Sequence, residues 1–161
     1  MKKKKYLLVS LIVIVCILIF AFIITSVNKR RTIDNLMSQL ENAINTHNIN
    51  AIVKLYPNYY RDIIKNELSQ SKLNEFHDKV GNITIKVIWQ NNQESESKSL
   101  EIENKIRSEY DIELHIQDTQ LVTINYHENF GESTLYVIKI KGEYYLYADY
   151  YLGEPIQYFI E

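Results

Sequence analysis

Cysteine is nearly absent from this sequence. Cys16 is the only one in 161 residues, so no disulfide can close and no pair of thiols can bind a metal or exchange electrons. Glycine is scarce too: Gly81, Gly131, Gly142 and Gly153 are the full set, too scattered for a loop that cradles phosphate. The four histidines, His47, His77, His115 and His127, include no pair at i+3 or i+4. The spacing that marks a metal site on one helix is therefore missing, and no metal or cofactor is expected. Positive charge is short where a nucleic-acid binder needs it. Seven of the eighteen cations lie before residue 32, leaving eleven against all twenty acids in residues 32–161. That stretch carries a formal charge of about −9 and offers no basic groove to displace phosphate counterions, so nucleic acid is not an expected partner.

One feature is abundant. Leu7 to Ile24 is an eighteen-residue run whose only clearly polar member is Ser10. At the helical rise it spans about 27 Å, close to the hydrocarbon thickness of a bilayer. The run is longer than the apolar region of a cleavable signal, and the next four residues, Thr25-Ser26-Val27-Asn28, make a poor cleavage site. Val15 before Cys16 is larger than the residue that lipidation sites carry there, so Cys16 reads as an ordinary residue of the span. Lys2 to Lys5 precede the run, and Lys29, Arg30 and Arg31 lie beyond it. The positive-inside rule with a short amino-terminal tail predicts an inside N-terminus, a single-pass anchor in the cell membrane and an extracytoplasmic domain. The basic flank can also rest on lipid headgroups. The expected division is residues 1–31 for tail, anchor and flank, and 32–161 for one domain.

Past the anchor the hydrophobic period is helical. Ile33, Leu36, Met37, Leu40 and Ile44 share one face, and a short second helix carries Ile49, Ile52, Val53 and Leu55 up to a boundary at Pro57. Tyr60, Ile63 and Ile64 predict another turn or two. Leu73, Phe76 and Val80 predict a third helix stopped by Gly81. The period then becomes two. Ile83, Ile85, Val87 and Trp89 predict a strand, and Ser97 or Ser99 is placed to cap a helix bearing Ile102, Ile106 and Tyr110. Ile112, Leu114 and Ile116 alternate as a strand, then Val122, Ile124 and Tyr126. Thr134–Lys141 and Glu143–Tyr150 predict a hairpin with Lys141-Gly142 at its tip. Asp118-Thr119-Gln120 is a turn or a bulge, which makes four or five strands. The expected fold is α+β, with helices packed on one face of a curved antiparallel sheet.

Two stretches carry a family resemblance. Ala43 to Pro57, read Ala-Ile-Asn-Thr-His-Asn-Ile-Asn-Ala-Ile-Val-Lys-Leu-Tyr-Pro, is similar to the opening helix pair of the nuclear-transport-factor-2-like, or cystatin-like, cone superfamily. Val137 to Tyr147 is similar to its closing hairpin. Asn48 and Asn50 stand where Gly-Asp is commoner, and Tyr144 replaces the usual tryptophan. The resemblance covers roughly residues 33–152 and points to membrane-anchored bacterial members of unknown function. It implies a cone-shaped sheet and transfers no catalytic residue, because the fold hosts many functions.

Enzymes of that superfamily, such as the polyketide-cyclase-like branch, place an acid or histidine inside the cone, where an apolar site raises a carboxyl pKa. Asp149 is the nearest candidate, and it points outward if Tyr144, Leu146 and Ala148 form the core face. His115 and His127 are expected to face solvent. Thirteen tyrosines are many, and seven fall between Tyr136 and Tyr158. Trp89, Tyr126, Tyr136 and Tyr144 are expected to line the cone. Tyr145, Tyr147 and Tyr151 are expected in an outward aromatic row that suits a protein partner or self-association. The expected function is a membrane-tethered, non-catalytic binding or scaffolding module, in one form a subunit of a conjugation or secretion apparatus. The alternative is a small cone-pocket enzyme or small-molecule binder.

Overall fold

The computed structural model describes residues 2–89, 95–125 and 132–147. The chain divides into two compact units, Met1–Ile33 and Asp34–Glu161. Helix α1, Lys2–Asn45, begins in the first unit and ends in the second without interruption. Neither glycine nor proline occurs within it, and two of its threonines bond back to the helix itself. The Thr25 and Thr32 hydroxyls donate to the carbonyls of Ala21 and Asn28, each at 2.8 Å. From Ile12 to Val27 every large apolar side chain is exposed, Phe22 by 74%. A helix apolar on all sides, with nothing of its own to pack against, is long and apolar enough to cross a membrane.

The second unit opens with the last turns of α1, where the pattern becomes one-sided. Leu36, Met37, Leu40, Ala43 and Ile44 are buried. The helix ends in a left-handed cap. His47 has φ +53, its N–H donates to the Ile44 carbonyl at 3.0 Å, and the Asn48 N–H reaches the Ala43 carbonyl at 2.8 Å. Asn48 then caps α2, Ile49–Lys54, its side chain accepting from the Ala51 N–H at 3.0 Å. Pro57 opens a 3-10 turn, Asn58–Tyr60, followed by α3, Arg61–Glu67. Helix α4, Gln70–Val80, is capped by Ser69 and stopped by Gly81, whose N–H still bonds the His77 carbonyl at 2.7 Å and whose φ of +74 then turns the chain out of the helix.

Strands β1 (Lys86–Trp89), β2 (Asp118–Asn125), β3 (Glu132–Ile140) and β4 (Glu143–Tyr147) form one antiparallel sheet in sequence order, with α5 (Ser95–Tyr110) between β1 and β2. Lys141 (φ +51) and Gly142 (φ +88) make the two-residue turn that joins β3 to β4. That turn sets Ile138 opposite Tyr145 and Tyr136 opposite Tyr147. One sheet face therefore bears Thr119, Tyr136, Ile138, Tyr145 and Tyr147, and the other bears Val122, Leu135, Val137, Tyr144 and Leu146.

Helix α5 covers the first face. Ile102, Ile106, Ile116, Ile138 and Tyr147 form its buried cluster, and the Ser99 and Thr119 hydroxyls share a hydrogen bond of 2.7 Å. Val122, Leu135, Val137 and Leu146 on the second face are also buried. The end of α2 is tied to the sheet edge, the Leu146 N–H donating to the Leu55 carbonyl at 2.9 Å. Both sheet faces thus carry buried apolar side chains, and α5 is the helix packed on the first.

Three local expectations are corrected. Only Lys86–Trp89 of the run from Ile83 joins the sheet. Side chains of α1 replace a strand partner for the rest, with Asn45 bonding both the N–H and the carbonyl of Ile83 (2.8 and 2.9 Å) and Glu41 accepting from the Ile85 N–H at 2.7 Å. Ile112, Leu114 and Ile116 lie outside the sheet; they pack against the α5 cluster, and Glu103 accepts the Ile116 N–H at 2.5 Å. Asp118-Thr119-Gln120 is the start of β2 rather than a turn. Four strands are present among the described residues.

Candidate functional site

The tyrosines meet at the carboxy-terminal end of α5. Pro57 and the 3-10 turn present Tyr59 and Tyr60 in succession, and Arg61 fixes the turn by donating to the Tyr56 carbonyl (2.9 Å) and the Lys54 carbonyl (3.1 Å). Tyr110, the last residue of α5, receives both rings: its centroid is 5.7 Å from that of Tyr59 and 6.0 Å from that of Tyr60, the latter edge to face. Tyr147 arrives from β4 on the same side, with Tyr59, Tyr110, Tyr136 and Tyr145 packed against its cluster. Burial pushes the Tyr59 and Tyr147 hydroxyls well above the usual phenol range, and neighbouring tyrosines add to the shift at Tyr59. Both stay neutral at physiological pH. The Tyr59 hydroxyl is buried without a hydrogen-bond partner among the described residues.

This placement corrects the expected outward row. Tyr147 is 9% exposed and belongs to the core beneath α5. Tyr145 is half-buried against that core, its hydroxyl donating to Glu143 at 2.5 Å. Tyr151 lies outside the described residues. The reason is that α5 packs on the face assumed to be free, while the expected core position Leu146 is buried on the other. Both sides of β4 are interior at this point.

The expected cone-lining set is divided in the same way. Tyr136 and Tyr144 are on opposite faces, because the Lys141-Gly142 turn pairs Tyr136 with Tyr147 and Tyr144 with Lys139. Tyr136 is half-buried at the other end of the α5 face, where the Lys98 ammonium is 5.0 Å from its ring centroid. Tyr144 closes the opposite face, donating to Asp118 at 2.9 Å beneath Lys139. Burial, then the Asp118 carboxylate, raises the Tyr144 hydroxyl pKa. Trp89 ends β1 opposite Val122, but its side chain, like Tyr126, His127 and Asp149, lies outside the described set.

The histidines behave differently from their spacing. His115 is exposed, 3.1 Å from Glu103. His47 and His77, thirty positions apart, come together with ring centroids 4.2 Å apart, edge to face. No group of three or more His, Cys, Asp or Glu side chains able to hold a metal occurs among the described residues. In comparisons with family models, curated proteins and solved structures, nothing matches this chain.

Proposed function

We propose that the chain is a membrane-tethered binding or scaffolding module of the cystatin-like cone type, with its domain outside the cell membrane. The observation that carries this reading is the filling of the space between α5 and the sheet. Tyr59, Tyr110, Tyr136, Tyr145 and Tyr147 pack there with isoleucines, and burial holds two of the phenols in their neutral form. Neutral, closely packed tyrosines stabilise a fold and present no group poised to exchange a proton near neutral pH. The order strand, helix, three-strand meander, with α5 across one face, supports the cone-type assignment. The lysines before the apolar run support an inside N-terminus. A subunit of a conjugation or secretion apparatus is the form of this reading that the layout favours: one span and an outer domain. Crosslinking in native membranes tests it. Specific protein adducts, or adducts of the chain with itself, are expected; a chain that forms none contradicts the reading.

One observation favours the second reading, a small-molecule binder. The buried Tyr59 hydroxyl, without a partner among the described residues, leaves a hydrogen bond for a ligand to complete. A ligand seated there would raise the melting temperature of the native chain but not of the Tyr59→Phe variant. Equal shifts in both proteins would rule out that role for the hydroxyl.

A further inference from the structure

We infer that Lys29, Arg30 and Arg31 form a cationic collar that binds the headgroup phosphates of anionic phospholipids, an inference that rests on the membrane-tethered reading. Helix α1 fixes the collar. It runs from Lys2 to Asn45 without a break, and the Thr25 and Thr32 hydroxyls bond back to the Ala21 and Asn28 carbonyls on either side of the three cations. Depth then follows from the helical rise. The apolar run ends at Ile24, so the α-carbons of Lys29 to Arg31 lie about 7.5 to 10.5 Å beyond it. The headgroup layer on each side of the hydrocarbon is about 5–7.5 Å deep. Side chains on a helix lean toward its N-terminus, which here is back toward the bilayer. Three long side chains rooted just past the headgroups therefore carry their charges into them.

Their arrangement and chemistry suit phosphate. Successive residues are about 100° apart around the helix axis, so the three cations span more than half of the circumference and meet several headgroups rather than one. Arg30 and Arg31 are exposed, and Lys29 is half-buried. A guanidinium matches two phosphate oxygens with paired N–H donors, and the Lys29 ammonium adds a point charge. Charge selects the lipid. Residues 32–161 carry a formal charge of about −9, and an anionic leaflet repels a domain of that sign. The cations lie between the span and that domain along the chain, where they attract the headgroups that the domain repels. Zwitterionic headgroups carry no net charge for the collar to attract.

Electron spin resonance of spin-labelled lipids tests the collar, with the full-length chain reconstituted in phosphatidylcholine bilayers at low salt. Lys2 to Lys5 are first replaced by glutamine, which leaves the collar as the cationic flank of the span. In that background spin-labelled phosphatidylglycerol should associate with the protein about fivefold more strongly than spin-labelled phosphatidylcholine, the worth of one cation near a charged surface. Adding Lys29→Gln, Arg30→Gln and Arg31→Gln together should remove the preference. Lys65→Gln with Lys72→Gln, which removes exposed cations from α3 and α4, should leave it unchanged. Circular dichroism checks that each variant keeps its helices. Equal association of the two lipids in the background protein, or a preference that survives loss of the three collar cations, would overturn the collar while leaving the tether intact. A chain that fails to enter the bilayer would overturn the tether, and the collar with it.

Discussion

Residues 12–27 and residues 34–147 are both rich in large apolar side chains, yet they treat them in opposite ways. In the first region every such side chain is exposed; in the second every described one but Leu100 is buried or half-buried. The contrast runs along a single helix, since α1 serves both regions. From Ile12 to Val27 it is apolar around its whole circumference, whereas from Leu36 to Ile44 it is apolar on one side. A one-sided stripe is satisfied by neighbours within the chain. An all-round apolar surface has no such neighbour and needs lipid.

Tyr147→Ala sharpens that contrast most. Removing a ring from the cluster beneath α5 is expected to cost about 3–5 kcal/mol of domain stability, read as a thermal melt. Ile17→Ala should leave the same melt unchanged. Ile17→Asp reverses the test: it should impair membrane insertion by about 2.5–3.5 kcal/mol, read as a loss from the membrane fraction, without altering the domain melt. Ser99→Ala is expected to cost about 1–3 kcal/mol, because it leaves the Thr119 hydroxyl buried without its bond. Gly142→Ala should cost about 1–2 kcal/mol, since alanine resists its φ of +88.

Alkaline titration separates the regions by charge. The Tyr59, Tyr144 and Tyr147 hydroxyls have raised pKa values in the folded chain. The unfolded chain therefore loses these protons first, and the stability they contribute is intact below about pH 10. It falls as the pH rises above that value. Domain melts that hold constant from pH 9 to pH 11 would contradict the buried placement of the phenols.

Much of the local structure was legible because it depends on local chemistry. Gly81 stops α4 and Lys141-Gly142 turns the hairpin, each through a positive φ that the residues around it signal. Leu146 was legible as core. Tyr147 was not, because alternation names two faces but cannot say that both are buried. Ile112, Leu114 and Ile116 alternate as a strand does, yet α5 rather than a neighbouring strand receives them. The His47–His77 contact was invisible to a search at helical spacing, since a turn and two helices intervene. Long-range packing supplies what these periodicities lack.

Membrane tethering with an outer domain is tested most directly by protease accessibility in intact cells or spheroplasts carrying an epitope at each end of the chain. External protease is predicted to destroy the carboxy-terminal epitope and digest the domain, while the amino-terminal epitope stays protected and membrane-bound. A carboxy-terminal domain that resists protease until the membrane is permeabilised, or a chain recovered free of the membrane, would contradict that placement.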